Sequence, residues 1–264
     1  MTRVLITGCS TGIGRAAAVE LTERGHDVVA TARRPEALED LDVALRLPLD
    51  VDDPASIEAA LREAGQLDVL VNNAGFEVAG PIERVPLDEI RRMFETNYFG
   101  TVRLVQAVVP GMRERGSGVI VNLSSVAGRV VGPFNSFYAG TKFAVEALSE
   151  GLHLELGHFG IRVVVIEPGF IGTAFQGNVR RYGEDEPPYD ELRDQWDEAS
   201  EKLGAGDRPG PEIVSMAIAD AIEDPGTPLR VPVGGDAEMV LAVRADNDDE
   251  TFEKTMRDAL GLEW

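Results

Sequence analysis

Val4-Leu5-Ile6-Thr7-Gly8-Cys9-Ser10-Thr11-Gly12-Ile13-Gly14 is the stretch that decides the fold of this 264-residue chain. Its first four residues read as a short buried strand, which the glycines at 8, 12 and 14 end in a tight turn. A helical pattern follows to about residue 24. A helix that opens directly out of a glycine turn presents free N–H groups and the positive end of its dipole, which suits the phosphates of a dinucleotide. The spacing is G-x-x-x-G-x-G and not G-x-G-x-x-G, and glycines alone also make plain turns, so the context must decide.

Working outward, short β-branched runs alternate with longer helical patterns. Strands are predicted at Val4–Thr7, Asp27–Ala30, Leu45–Leu47, Val69–Asn72, Val119–Asn122, Val163–Ile166 and Leu229–Val233. Helices are predicted over about 12–24, 55–64, 88–114, 136–157 and 212–223. Continuous apolar strands imply burial on both faces, and right-handed crossovers then give an α/β doubly wound, seven-stranded parallel sheet in a single domain. Pro232 lacks a donor, which suits the last strand to a sheet edge. The helix over 136–157 is apolar on more than one face. Its second face meets either another subunit, making a homodimer or homotetramer, or the carboxy-terminal segments of its own chain.

Composition excludes several classes of function. A formal charge of −21 repels nucleic acid and anionic membranes. No leader or spanning segment is visible, so the chain reads as cytoplasmic. The lone Cys9 forms no internal disulfide and reads as a packing residue. His26, His153 and His158 lack ligand spacing, and the acidic run 246–250 reads as a solvated face or helix start, so no metal is expected.

Residues at the carboxyl ends of the strands then acquire roles. Gly8, Ser10, Thr11, Gly12, Ile13 and Gly14 form the phosphate turn. The second strand ends in Arg33-Arg34, where a site selective for NAD commonly offers a carboxylate to the ribose. A guanidinium there matches a 2′-phosphate, so Arg33 predicts a preference for NADP(H) over NAD(H); Arg34 is either its helper or an ordinary surface residue. Asp50, beside Val51, is placed to accept from the adenine amino group. Asn72 and Asn73 either face the ligand or brace their turn, while Ala74 and Gly75 bring backbone close to the ribose.

At the chemical end, Ser124 and Ser125 close the strand ending at Asn122, and Tyr138 and Lys142 share one helix face as an i, i+4 pair. A free phenol has a pKa of about 10, and a neighbouring ammonium is expected to lower it. Ser125 would donate to the substrate oxygen while Tyr138 gives or takes the proton, with hydride from the cofactor. Asn97 sits mid-helix, an unfavourable place for this residue type.

Taken together, these motifs resemble the short-chain dehydrogenase/reductase superfamily, from Thr7 to about Thr173. The resemblance implies a Rossmann-like fold and a catalytic tetrad of Asn97, Ser125, Tyr138 and Lys142, in which Asn97 holds a water in a proton relay through Lys142. It also implies that Tyr138 and Lys142 contact the cofactor, with Lys142 on the nicotinamide ribose. Pro168, Gly169, Ile171 and Thr173 are implied to form the nicotinamide-side loop.

Beyond Thr173, residues of about 174–210 read as a mobile substrate lid and about 235–264 as a helical extension that closes one edge of the pocket. Phe76, Phe134, Phe137 and Phe175 either line an apolar pocket or belong to ordinary packing. The expected activity is reduction of a lipophilic ketone or aldehyde, a small-molecule carbonyl or alcohol substrate. Reduction of carrier-bound thioesters fits poorly with the acidic chain. A dinucleotide-binding sensor or scaffold without turnover is the alternative, opposed by the intact Ser125, Tyr138 and Lys142 set.

Overall fold

The computed structural model describes residues 1–203 and 208–262. Seven strands form one parallel sheet: β1 (Arg3–Ile6), β2 (Asp27–Ala32), β3 (Leu45–Pro48), β4 (Val69–Asn72), β6 (Gly118–Leu123), β7 (Ile161–Pro168) and β9 (Arg230–Val233). Their order is β3-β2-β1-β4-β6-β7-β9, with β9 and its Pro232 at the edge as predicted. Two further strands, β5 (Val78–Ala79) and β8 (Arg180–Arg181), pair in a separate parallel ladder. They went unpredicted because two residues carry no periodicity.

The helices are α1 (Gly12–Glu23), α2 (Pro54–Ala64), α3 (Leu87–Phe94), α4 (Gly100–Arg115), α5 (Ser136–Leu156), α6 (Ala174–Gly177), α7 (Asp190–Leu203), α8 (Glu212–Glu223), α9 (Gly235–Asp246) and α10 (Asp249–Leu260). Side chains alternate across the sheet. Val4 and Ile6 of β1 pack with Ala17 and Leu21 of α1 and Ile218 of α8, whereas Leu5 packs with Ile57 of α2 and Leu104 and Met112 of α4. Each face therefore buries its own core, as a doubly wound sheet requires. Local chemistry sets the boundaries. Asp53 caps α2 by accepting the Ala55 N–H, with Pro54 at the first helical position, and Gly116 ends α4 in the left-handed region.

The predicted helix over 88–114 is present and carries one irregularity. A π turn over Glu95–Phe99 separates α3 from α4, and Asn97 lies at its centre. Side-chain amide bonds to a neighbouring loop hold the turn there, a tertiary effect that apolar periodicity does not register. The acidic run does start a helix, with Asp248 accepting the Thr251 N–H. On α5, Leu154 is 77% exposed, so the described carboxy-terminal residues do not cover that position. Among the described residues no helix is long and apolar enough to cross a membrane, and no group of His, Cys, Asp or Glu is arranged to hold a metal.

Candidate active site

The glycine turn is built by its neighbours. Thr7 Oγ1 accepts the N–H groups of Asn73 and Ala74, both at 3.0 Å, and Asn73 Nδ2 donates to the carbonyls of Thr7 and Gly8 at 2.8 and 3.2 Å. The Asn73 amide thus braces the turn. Gly8 and Gly12 have φ of +75° and +59°, conformations that favour glycine. A Cβ on Gly14 would lie 2.5 Å from the Gly8 carbonyl oxygen and in conflict with the Asn73 amide. Cys9 is fully buried behind the turn, and burial pushes its thiol up to about 12, so it is chemically inert.

A groove of about 1520 Å³ runs along the carboxyl ends of the strands. That exceeds the ~300–1,000 Å³ of an ordinary small-molecule pocket, leaving room for a dinucleotide and a second ligand. Gly8, Ser10, Thr11, Gly12, Ile13, Arg33, Asp50, Val51, Asn73, Ala74, Gly75, Ser125, Tyr138, Lys142, Pro168, Gly169, Ile171 and Thr173 all line it. Gly14 and Asn97 do not; they sit behind the wall and shape it. Arg33 and Arg34 are exposed at one end, and among the described residues neither makes an ion pair. One Asp50 oxygen already accepts the Asp52 N–H at 3.1 Å. A small-residue turn at a helix start, a cradle that side chains would fill and free guanidinium groups at the adenine end fit a phosphorylated dinucleotide.

At the other end, Ser125 leaves β6 in extended conformation and its Oγ accepts the Ala127 N–H at 3.1 Å, which fixes the hydroxyl at the groove wall. The Ser125 hydroxyl donates to the Pro168 carbonyl at 3.4 Å and, with Tyr138, lines the groove. Lys142 is buried; its Nζ donates to the Leu123 carbonyl at 2.7 Å and lies 5.6 Å from the centre of the Tyr138 ring. Asn97 Nδ2 donates to the Phe76 carbonyl and to Thr141 Oγ1, so its side chain joins the loop after β4 to α5.

The expected lowering of the Tyr138 pKa is not what this environment produces. Burial first, and the Glu77 carboxylate second, push the phenol above its ordinary range, against a smaller opposing effect of the nearby Ser125 hydroxyl. Burial also drives Lys142 down to about 8, opposed by Glu146 and Glu77. Desolvation outweighs the pairing that the i, i+4 spacing promised. The phenol is held as a proton donor, which suits protonation of an oxygen that gains charge during carbonyl reduction.

Glu77 and Asn135 were not anticipated. Glu77 lies two positions past Gly75 and lines the groove beside Tyr138, and Asn135 Nδ2 donates to it at 2.6 Å. The available signal was a single carboxylate in the apolar run Phe76-Glu77-Val78-Ala79. Of the four phenylalanines, Phe76, Phe134 and Phe175 line the groove, whereas Phe137 packs behind it. Phe175 stands 5.9 Å from the Tyr138 ring. Phe134 has φ of +63°, rare for a bulky residue, and its carbonyl accepts the Gly80 N–H.

The segment expected to be a lid contains α6, β8 and α7, with residues 204–207 outside the described ones. It is tied to the loop before α3: Arg84 Nη1 donates to the Gly183 carbonyl at 2.6 Å and Tyr189 donates to Glu83 at 3.1 Å. The carboxy-terminal extension, described to residue 262, contributes Val240, Phe252, Met256 and Leu260 to the groove opposite the segment after Ser125.

Comparison with known proteins agrees with this geometry. Residues 2–183 match the family model described as short chain dehydrogenase. Human retinol dehydrogenase 8 is 38% identical over 247 residues, covering 86% of this chain and 79% of that protein. The 3-ketodihydrosphingosine reductase of Bacteroides thetaiotaomicron is 34% identical over 245 residues, covering 90% of each. A solved short-chain dehydrogenase from Streptomyces avermitilis superposes with a TM-score of 0.82 at 38% identity over 97% of both chains. The chain belongs to the short-chain dehydrogenase family and is an oxidoreductase of CH–OH groups built on a fold that binds a nicotinamide cofactor.

Proposed function

We propose that this protein reduces a lipophilic ketone or aldehyde with NADP(H) in preference to NAD(H). The observation that carries the reading is one continuous groove with unpaired Arg33 at one end and the Ser125, Tyr138 and Lys142 side chains at the other. Gly8, Ser10, Thr11, Gly12 and Ile13 would hold the pyrophosphate, with Gly14 keeping their turn tight, and Arg33 the 2′-phosphate. Asp50, Val51, Asn73, Ala74 and Gly75 would line the adenosine side, and Pro168, Gly169, Ile171 and Thr173 the nicotinamide side. When bound, the cofactor supplies the hydride.

The protein's own groups then handle charge and proton. Ser125 donates to the carbonyl oxygen, Tyr138 passes its proton to the same oxygen as charge develops there, and the Lys142 ammonium stabilises the phenolate left behind. Asn97 positions the backbone that backs this set and serves the proton relay to Lys142. The apolar residues of α7, α9 and α10 along the groove support a lipophilic substrate. Leu154 and the other exposed apolar side chains of α5 support assembly as a homodimer or homotetramer, which light scattering tests. The single buried thiol of Cys9, which asks for no oxidising compartment, supports a cytoplasmic location.

The test is oxidation of NADPH and of NADH, followed by nicotinamide absorbance, with ketones and aldehydes from small and polar to large and apolar. Turnover with NADPH that is lost in Tyr138→Phe is the expected result. Tight dinucleotide binding without turnover of any carbonyl would favour a sensor instead.

A further inference from the structure

Glu77 neither gives nor takes a proton in the chemistry described above, although its charge bears on Tyr138 and Lys142. Its position is well determined. Its backbone carbonyl accepts the Arg180 N–H at 3.2 Å, and its side chain accepts from Asn135 at 2.6 Å. Asn135 immediately precedes α5, three residues before Tyr138, or about 4.5 Å along a helix axis. The carboxyl is thereby pinned beside the reacting phenol, and both side chains face the same groove.

Among the described residues no Arg or Lys lies within ion-pair distance of Glu77, although several cations line the groove. Arg33 and Arg34 stand at the dinucleotide end, and four of the others are already held: Arg181 by Glu184 at 2.8 Å, Arg180 by Glu89, Arg129 by Glu167 at 3.3 Å, and Lys142 by the Leu123 carbonyl. The half-buried Glu77 carboxyl has Asn135 as a hydrogen-bond donor but no counter-ion among the described residues. The groove therefore lacks a cation where substrate would sit. Burial raises the Glu77 pKa, helped by Glu184 and opposed by Asn135, Arg181 and Lys142, so the arrival of a positive group would draw out its charge. The net charge of −21 attracts cationic ligands to the molecule as a whole.

Apolar side chains make up part of the groove wall, among charged ones such as Asp197 and Glu253. Phe175 packs beside the Tyr138 ring, Val130, Trp196, Met256 and Leu260 also line the groove, and Trp196 packs so closely on Gly132 that a Cβ there would lie 2.6 Å from the indole.

We infer that Glu77 selects the substrate, and that the substrate class is an amino ketone or amino alcohol: a protonated amine next to the reacting carbon, on a long apolar chain. This rests on the hydride-transfer reading above and narrows it. The amine pairs with Glu77, the carbonyl oxygen lies between Ser125 and Tyr138, and the chain packs on the apolar side chains of the groove wall.

The experiment compares three ketones of equal length: an aminododecanone with the amine on the carbon beside the carbonyl, the corresponding hydroxydodecanone, and unsubstituted dodecanone. Each is assayed with wild type and Glu77→Gln. Gln retains the acceptor for Asn135, so folding is preserved. In the wild type, kcat/KM for the amino ketone should exceed the other two by roughly tenfold or more, chiefly through KM. Glu77→Gln should remove that advantage, lowering kcat/KM for the amino ketone by about tenfold more than for unsubstituted dodecanone.

A hydroxy ketone favoured as much as the amino ketone, equal losses on all three substrates, or no preference in the wild type would overturn the assignment. Calorimetric titration of the amino alcohol product, with dinucleotide present, separates the two levels of inference. If no ketone is turned over, the hydride-transfer reading falls. Binding lost in Glu77→Gln would then still uphold the amine site, and unchanged binding would overturn it.

Discussion

Asn97 and Phe76 clasp each other through two hydrogen bonds: the amide nitrogen donates to the Phe76 carbonyl at 2.9 Å, and the amide oxygen accepts the Phe76 N–H at 3.0 Å. The clasp locks the π turn to the loop that carries Glu77. Asn97→Ala removes both bonds and the one to Thr141, leaving buried backbone groups without partners. A loss of about 2–4 kcal/mol in urea unfolding is expected, with reduced turnover. An unchanged midpoint would make the clasp incidental.

Tyr138→Phe keeps the ring and its contact with Phe175 but removes the proton donor. Turnover should fall by roughly a hundredfold or more, while dinucleotide affinity by fluorescence titration stays within about threefold. Retained turnover would require a different acid.

The pH profile should carry the signature of Lys142. Its ammonium is lost as pH rises through about 8, so kcat/KM for reduction should decline above that value. Tyr138, raised above its ordinary range, adds no limb below it. The same shift bears on stability. Because the folded-state pKa lies below the ordinary lysine value of 10.5, the unfolded chain holds more protons between about 8 and 10.5, and stability from this group rises with pH across that window. Below about 8 the full penalty applies. Lys142→Met should therefore abolish efficient turnover yet stabilise the fold at neutral pH, by about 1–3 kcal/mol after the lost Leu123 bond is counted. Thermal unfolding of the two forms at neutral pH and near pH 10 measures this, with the difference shrinking at the higher pH.

Arg33→Ala should weaken NADPH by about tenfold or more, the worth of a charge-assisted contact to phosphate, and leave NADH unchanged. Parallel titrations decide it; equal weakening of both would assign Arg33 to general positioning.

Two glycines make opposite predictions. Gly14→Ala drives a methyl into the Gly8 carbonyl and the Asn73 amide, so dinucleotide binding should be lost even where the protein folds. Gly151→Ala, in α5 with nothing within 4 Å of the added carbon, should stabilise by about 0.5–1 kcal/mol with activity intact.

Much of this protein was legible in one dimension because the relevant signals are local. The seven sheet strands announce themselves by β-branched runs, the phosphate turn by glycines that must adopt positive φ, and the pairing of Tyr138 with Lys142 by the helical repeat. Residues whose role depends on distant partners were less legible. Asn73 carries the same letters whether it faces a ligand or spends its amide on the carbonyls of Thr7 and Gly8, and only the packing of the loop after β4 against the turn after β1 decides for the second.

The sequence by itself determined the fold class, the family and the groups able to do acid–base chemistry, since periodicity and spacing are properties of the chain alone. Tertiary structure decided the π turn at Asn97, the bracing role of the Asn73 amide, and the presence of Glu77 beside the phenol. It also reversed the expected direction of the Tyr138 pKa, because burial and neighbouring charge arise from folding and not from spacing along a helix.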